Sequence, residues 1–133
     1  MDTRSRHLTM DVWLASELSE SMVEQLKALI RRQLTVLKEV EHQFTPHGQT
    51  VVFILSESHF TIHTYPEEHY VSLDCYVCNP NVDLEALREA ILAILDTHEV
   101  QTHIHARGHK VRMNANESTS ESMHQQRVTR HAK

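Results

Sequence analysis

The apolar stripe Met22, Leu26, Leu29, Ile30, Leu34 and Leu37 constrains this chain more than any other feature. Its spacing of three and four residues predicts an amphipathic helix, and Ser21 followed three residues later by Glu24 supplies a capping box at its start. The pattern predicts a helix over 21–38. A second stripe, Leu84, Leu87, Ile91, Ile94 and Leu95, predicts another helix, capped by Asn81 or Asp83. The segments around these stripes have strand character. Residues 7–14 alternate, 40–44 form a short run before the turn Pro46-His47-Gly48, and 51–55 are continuously apolar, which reads as a buried strand. Further strands are predicted over 59–64, stopped by Pro66, over 70–77, and over 99–106. The order β-α-β-β-β-β-α-β predicts an α+β fold, a two-layer α/β sandwich with a mostly antiparallel sheet and two helices on one face. The opposite face is then left for a second copy or another partner.

At 133 residues the chain is long enough for one cored domain, expected over 1–113. Residues 114–133 are polar and rich in Ser, Thr, Asn and Gln, a composition that predicts a disordered tail. A formal net charge of -5 argues against a nucleic-acid partner. The two glycines, Gly48 and Gly108, leave no material for a glycine-rich phosphate loop. No apolar run has transmembrane length, and residues 1–6 lead into no signal-peptide core, so no membrane association and a cytoplasmic location are expected.

Twelve histidines invite a metal reading, above all His103 and His105, which share a face of the last strand. Two ligands rarely make a site, so a solvated strand face is preferred and no metal is expected. Cys75 and Cys78 have C-x-x-C spacing, but on a strand they point to opposite faces, and no second pair completes a zinc site. Cys75 reads as a small buried hydrophobe. Ser58 lies among Glu57, His59, His63 and His69 without a G-x-S-x-G elbow. By themselves these residues say that Ser58, with a nearby base, could attack a carbonyl. They do not say which one.

Several separated segments narrow the choice. They are Arg6-His7-Leu8, the H-x-F-x-P-x-G segment from His42 to Gly48, Glu57-Ser58-His59, Thr61-Ile62-His63-Thr64 followed by Pro66-Glu67, and Cys78. In this order and spacing, over about residues 5–110, the chain resembles the prokaryotic S-adenosylmethionine decarboxylases. It departs from them in having Tyr65 where the family usually has tryptophan and Asn79 where glycine is common.

The resemblance implies a proenzyme that cleaves itself between Glu57 and Ser58, giving chains 1–57 and 58–133 and a pyruvoyl cofactor derived from Ser58. It casts Ser58 as the nucleophile on the Glu57 carbonyl, His63 as the base that removes the Ser58 α-proton, and Thr50 as a hydroxyl supporting the oxyanion. Cys78 becomes the acid that reprotonates the substrate carbon, since a cysteine thiol is mostly protonated near neutral pH. Phe44 and Tyr65 take the positions that sandwich the adenine, and Glu67 the position that binds the nucleoside. The implied reaction is decarboxylation of S-adenosylmethionine, supplying aminopropyl groups for spermidine, in a homodimer whose sites lie at the interface, where Phe44 would come from the other copy. Two alternatives stand beside it. One is a related pyruvoyl-dependent arginine or ornithine decarboxylase. The other is a non-catalytic, metal-binding homologue that stays uncleaved.

Overall fold

The computed structural model describes residues 4–110 and, as backbone alone, 122–129. In chain order the elements are β1 (Ser5–Leu14), α1 (Glu20–Gln33), β2 (Val36–Gln43), β3 (Gln49–Leu55), β4 (Ser58–Tyr65), a 3-10 turn (Pro66–Glu68), β5 (Tyr70–Val77), α2 (Leu84–Ile94), β6 (Thr97–Arg107) and β7 (Ser122–Thr129). The strands form one sheet in the order β2-β3-β4-β5-β1-β6-β7, with every neighbouring pair antiparallel. This is the expected α+β sandwich.

Alternation along the strands divides the sheet into two faces. Leu8, Met10, Val12, Val51, Phe53, Phe60, Ile62, Val71, Leu73 and Cys75 point to one side. There they meet Leu26, Leu29 and Ile30 of α1 and Leu84, Leu87, Ile91 and Leu92 of α2 in one continuous core. Each such large side chain contributes about 1.5–3 kcal/mol on burial. Both helices therefore cover the same face. The other face carries His59, Thr61, His63 and Tyr65 of β4, Ser72, Asp74 and Tyr76 of β5, and His7, Thr9, Asp11 and Trp13 of β1, and no element lies over it among the described residues.

Strand ends shift from the sequence reading, most of all in β2, which begins at Val36 rather than at 40, and three further points differ. The cap of α1 is Ser19, whose Oγ accepts from the Met22 amide at 3.1 Å, while Ser21 lies inside the first turn and accepts from the Gln25 side chain. The helix ends before Leu34, which is already extended (φ -127°, ψ 157°). Thr35 and Val36 are β-branched and favour the strand that follows. Leu37, the last residue of the helical stripe, consequently lies on β2 and is 66% exposed. Finally, Ser122–Thr129, within the segment expected to be disordered, runs as a strand along β6. Main-chain hydrogen bonds to an open sheet edge do not need apolar side chains, so composition gives no sign of this pairing. The rest of that tail lies outside the described residues.

β2 is tied to α1 by charge. Lys27 is buried, with its Nζ 3.0 Å from Glu41 and 3.0 Å from Glu24, and Arg31 donates to Glu39 at 2.8 Å. Burial pulls the Lys27 ammonium toward neutrality, but the two carboxylates outweigh it and raise its pKa.

Candidate active site

The β3–β4 hairpin closes through a two-residue turn, with Leu55 paired to Ser58 and Ser56-Glu57 between them. Glu57 has φ +66°, a left-handed conformation that favours glycine or asparagine at the second central position of a turn. Holding a glutamate there stores on the order of 1–3 kcal/mol of backbone strain at the residue before Ser58. The Cys78 thiol, at the end of β5, donates to the Glu57 carbonyl oxygen at 3.3 Å. Ser58 Oγ lies 3.3 Å from the Ser56 carbonyl and lines a small cleft with Leu55, Val77, Asn79 and Val82. The loop after Cys78 is clamped by Arg6, which donates to the carbonyls of Asn79 at 3.0 Å and Val82 at 2.8 Å. Glu57, Ser58 and Cys78 thus meet at one end of the sheet.

Thr50, His63, Phe44, Tyr65 and Glu67 occupy the other end. Thr50 and His63 are register partners on β3 and β4, and the threonine hydroxyl is 2.9 Å from His63 Nδ1. Phe44 follows β2 and donates its amide to the Gly48 carbonyl at 2.8 Å. Gly48 has φ +94°, and a Cβ there would sit 2.9 Å from the Thr64 carbonyl, so this turn requires glycine. Tyr65 ends β4 and Glu67 lies in the turn after it, with Phe44, Tyr65 and Glu67 all exposed. His63 is five residues from Ser58 on one strand, about 16 Å at strand rise, and an odd separation places the two on opposite faces. The chain alone does not bring His63 to Ser58.

Cys75 is fully buried, and burial raises its thiol pKa to about 12, so it is an inert core residue. His103 and His105 share the open face, their rings stacked with centroids 5.5 Å apart.

Three features were not singled out from the sequence. The clamp made by Arg6 is one, because its partners are backbone carbonyls more than seventy residues away. A cluster on the open face is another. Its hub, Asp74, has Oδ2 2.8 Å from His7 Nε2 and 3.4 Å from His59 Nε2, while the Thr61 hydroxyl donates to Oδ1. Arg107 donates to His7 Nδ1 at 3.0 Å. An arginine only donates, so His7 accepts at Nδ1 and gives its Nε2 proton to Asp74. The two histidines and Asp74 lie close enough to hold a cation, but this tautomer commits His7 to the carboxylate instead. Burial alone would raise the Asp74 pKa, and the bonds from Thr61, His7 and His59 bring it below the ordinary value. The third feature is the stacked row of Tyr65, Tyr70 and Trp13. The strict alternation of residues 70–77 was the available signal for the second and third, since it places Tyr70, Ser72, Asp74 and Tyr76 on one face.

The pattern that defines the S-adenosylmethionine decarboxylase family matches residues 6–108, most of the described chain. The chain is 37% identical over 98 residues to an S-adenosylmethionine decarboxylase proenzyme of Brevibacillus brevis, covering 70% of this chain and 74% of that one. It is 38% identical over 96 residues to the proenzyme of Shouchella clausii, covering 68% and 74%. The crystal structure of the adenosylmethionine decarboxylase from Aquifex aeolicus superposes with a TM-score of 0.70 at 26% identity, over 88% of this chain and all of that one. Sequence pattern, relatives and fold agree, and the chain belongs to the S-adenosylmethionine decarboxylase family.

Proposed function

We infer that this chain is the proenzyme of a pyruvoyl-dependent S-adenosylmethionine decarboxylase, cleaved between Glu57 and Ser58. The observation that carries this reading is the Ser56-Glu57 turn, where a left-handed Glu57 precedes Ser58 and its carbonyl oxygen accepts from Cys78 at 3.3 Å. A strained carbonyl beside a donor and a following hydroxyl is the arrangement an acyl shift needs.

Ser58 Oγ adds to the Glu57 carbonyl carbon while Cys78 supports the charge developing on its oxygen. The peptide C–N bond breaks and an ester replaces it. Loss of the Ser58 α-proton expels the Glu57 carboxylate and leaves a dehydroalanine at the new terminus, and its hydrolysis releases ammonia. The pyruvoyl group so formed supplies an electrophilic carbonyl for the substrate amine and an acceptor for the electron pair left by carbon dioxide. Cys78 returns a proton to the substrate carbon. Phe44 and Tyr65 flank the adenine, and Glu67 accepts hydrogen bonds from the nucleoside.

Since Ser58 and Cys78 stand at one end of the chain's sheet and Thr50, His63, Phe44, Tyr65 and Glu67 at the other, the complete site is assembled from two copies. The uncovered polar and aromatic face of the sheet is the surface across which they meet.

Intact mass spectrometry of the purified protein tests the reading. Two species, 1–57 and 58–133, are expected, the second lighter than its serine form by one ammonia. A single full-length species without activity on S-adenosylmethionine overturns it. Cleavage with activity on arginine or ornithine alone would retain the cofactor and replace the substrate.

A further inference from the structure

Tyr65 does not stand alone. It pairs with Tyr70 across β4 and β5, and Tyr70 pairs with Trp13 across β5 and β1. The Tyr65 and Tyr70 rings stack with centroids 5.3 Å apart at 25°, and Tyr70 continues onto Trp13 at 5.1 Å and 27°. The Tyr70 hydroxyl donates to Asp11 Oδ1. The central ring is therefore held on both sides and at its tip, while Tyr65 at the end of the row is 43% exposed.

We propose that Tyr70, locked by Asp11 and backed by Trp13, is a positioning residue that fixes the Tyr65 ring to receive the purine of the substrate. This rests on the reading of Tyr65 as an adenine contact. A tyrosine at a strand end turns freely about two torsions, and freezing it on binding weakens affinity. The ladder orders the ring beforehand and extends the aromatic surface behind it, so a smaller ring than tryptophan is enough at position 65. The ladder touches neither Ser58 nor Cys78. Its contribution is to substrate affinity, with the chemical step left unchanged.

The test uses processed enzyme carrying Tyr70→Leu, Tyr70→Phe or Asp11→Ala. Tyr70→Leu is expected to raise KM for S-adenosylmethionine about tenfold with kcat within about twofold, the size of one lost aromatic contact. Tyr70→Phe keeps the stack and should recover to within about threefold of the parent. Trp13 is the single tryptophan. Its fluorescence, titrated with 5′-methylthioadenosine, gives a readout independent of turnover, and the midpoint should move about tenfold in Tyr70→Leu. Self-cleavage reports folding of each variant, because the Glu57–Ser58 bond lies at the other end of β4. If Tyr70→Leu fails to cleave, Asp11→Ala, which keeps every ring, carries the test with a KM rise of about threefold. Unchanged KM and midpoint, or a fall in kcat alone, overturns the ladder. A parent enzyme that decarboxylates S-adenosylmethionine without any nucleoside-dependent change overturns it as well. A parent that is inactive and also blind to the nucleoside removes the reading of Tyr65 and the ladder together.

Discussion

The Cys78 thiol and the Glu57 carbonyl oxygen are 3.3 Å apart, although 21 residues separate them in the chain. The contact exists because β5 runs beside β4 and Arg6 clamps the loop beyond Cys78. Cys78→Ala removes the donor and leaves the turn and Ser58 in place. It should cleave about tenfold more slowly, a modest loss consistent with a weak S–H donor, and the matured fraction should decarboxylate poorly. A time course on denaturing gels gives the first effect and carbon dioxide release the second. Wild-type values for both would remove Cys78 from the mechanism.

Glu57→Gly relaxes the left-handed turn without touching any nucleophile. Relief of roughly 1 kcal/mol of strain stabilises the uncleaved state. Cleavage should slow about fivefold. In a Ser58→Ala background, which cannot cleave, the glycine variant should resist urea better than the glutamate parent. Faster cleavage or lower stability would show that the strain is not used.

The separation of His63 from Ser58 predicts complementation. Neither Ser58→Ala nor His63→Ala should mature alone. Co-expressed, the two chains can build one complete site, with Ser58 from the His63→Ala chain and His63 from the other. Mass spectrometry should then find only the His63→Ala chain cleaved. No cleavage in the mixture would mean that both residues act within one chain.

Asp74 predicts a pH dependence. Its folded pKa lies below the ordinary aspartate value of about 3.9. Its stabilising contribution is therefore fully present above that value and lost as pH falls through the folded pKa. Urea unfolding should find Asp74→Asn weaker than wild type at pH 7, with a smaller gap at pH 3. An equal gap at both values would mean that the carboxylate charge does not stabilise the fold.

Lys27→Ala removes a buried ammonium that Glu24 and the exposed Glu41 both accept from. A loss of about 1–3 kcal/mol is expected in urea unfolding, in the range of a hydrogen bond to a charged group. A loss within a few tenths would reduce the pair to an ordinary surface ion pair.

Much of this architecture is legible from local pattern. The second helix begins at Leu84 behind Asp83, whose side chain accepts from the Ala86 amide at 3.0 Å, as its cap and stripe predict. The strand 70–77 matches β5 end to end because its alternation is strict. Leu37 misleads because a helical stripe and a following strand residue can fall in phase by chance, and only the extended backbone at Leu34 separates them. Ser122–Thr129 is invisible to composition because its partner is the backbone of β6.

The sequence by itself determined the elements up to β6, the shared core face and the candidate residues, because periodicity and motif spacing are local properties. The tertiary structure alone decided which of those residues meet. Cys78 reaches the Glu57 carbonyl because neighbouring strands bring distant residues into register. His63, in the same motif as Ser58, is carried to the opposite face and the opposite end by the two-residue period of a strand. Proximity in sequence and proximity in space part company there, because a strand reverses face at every residue and moves about 3.3 Å along its axis with each one.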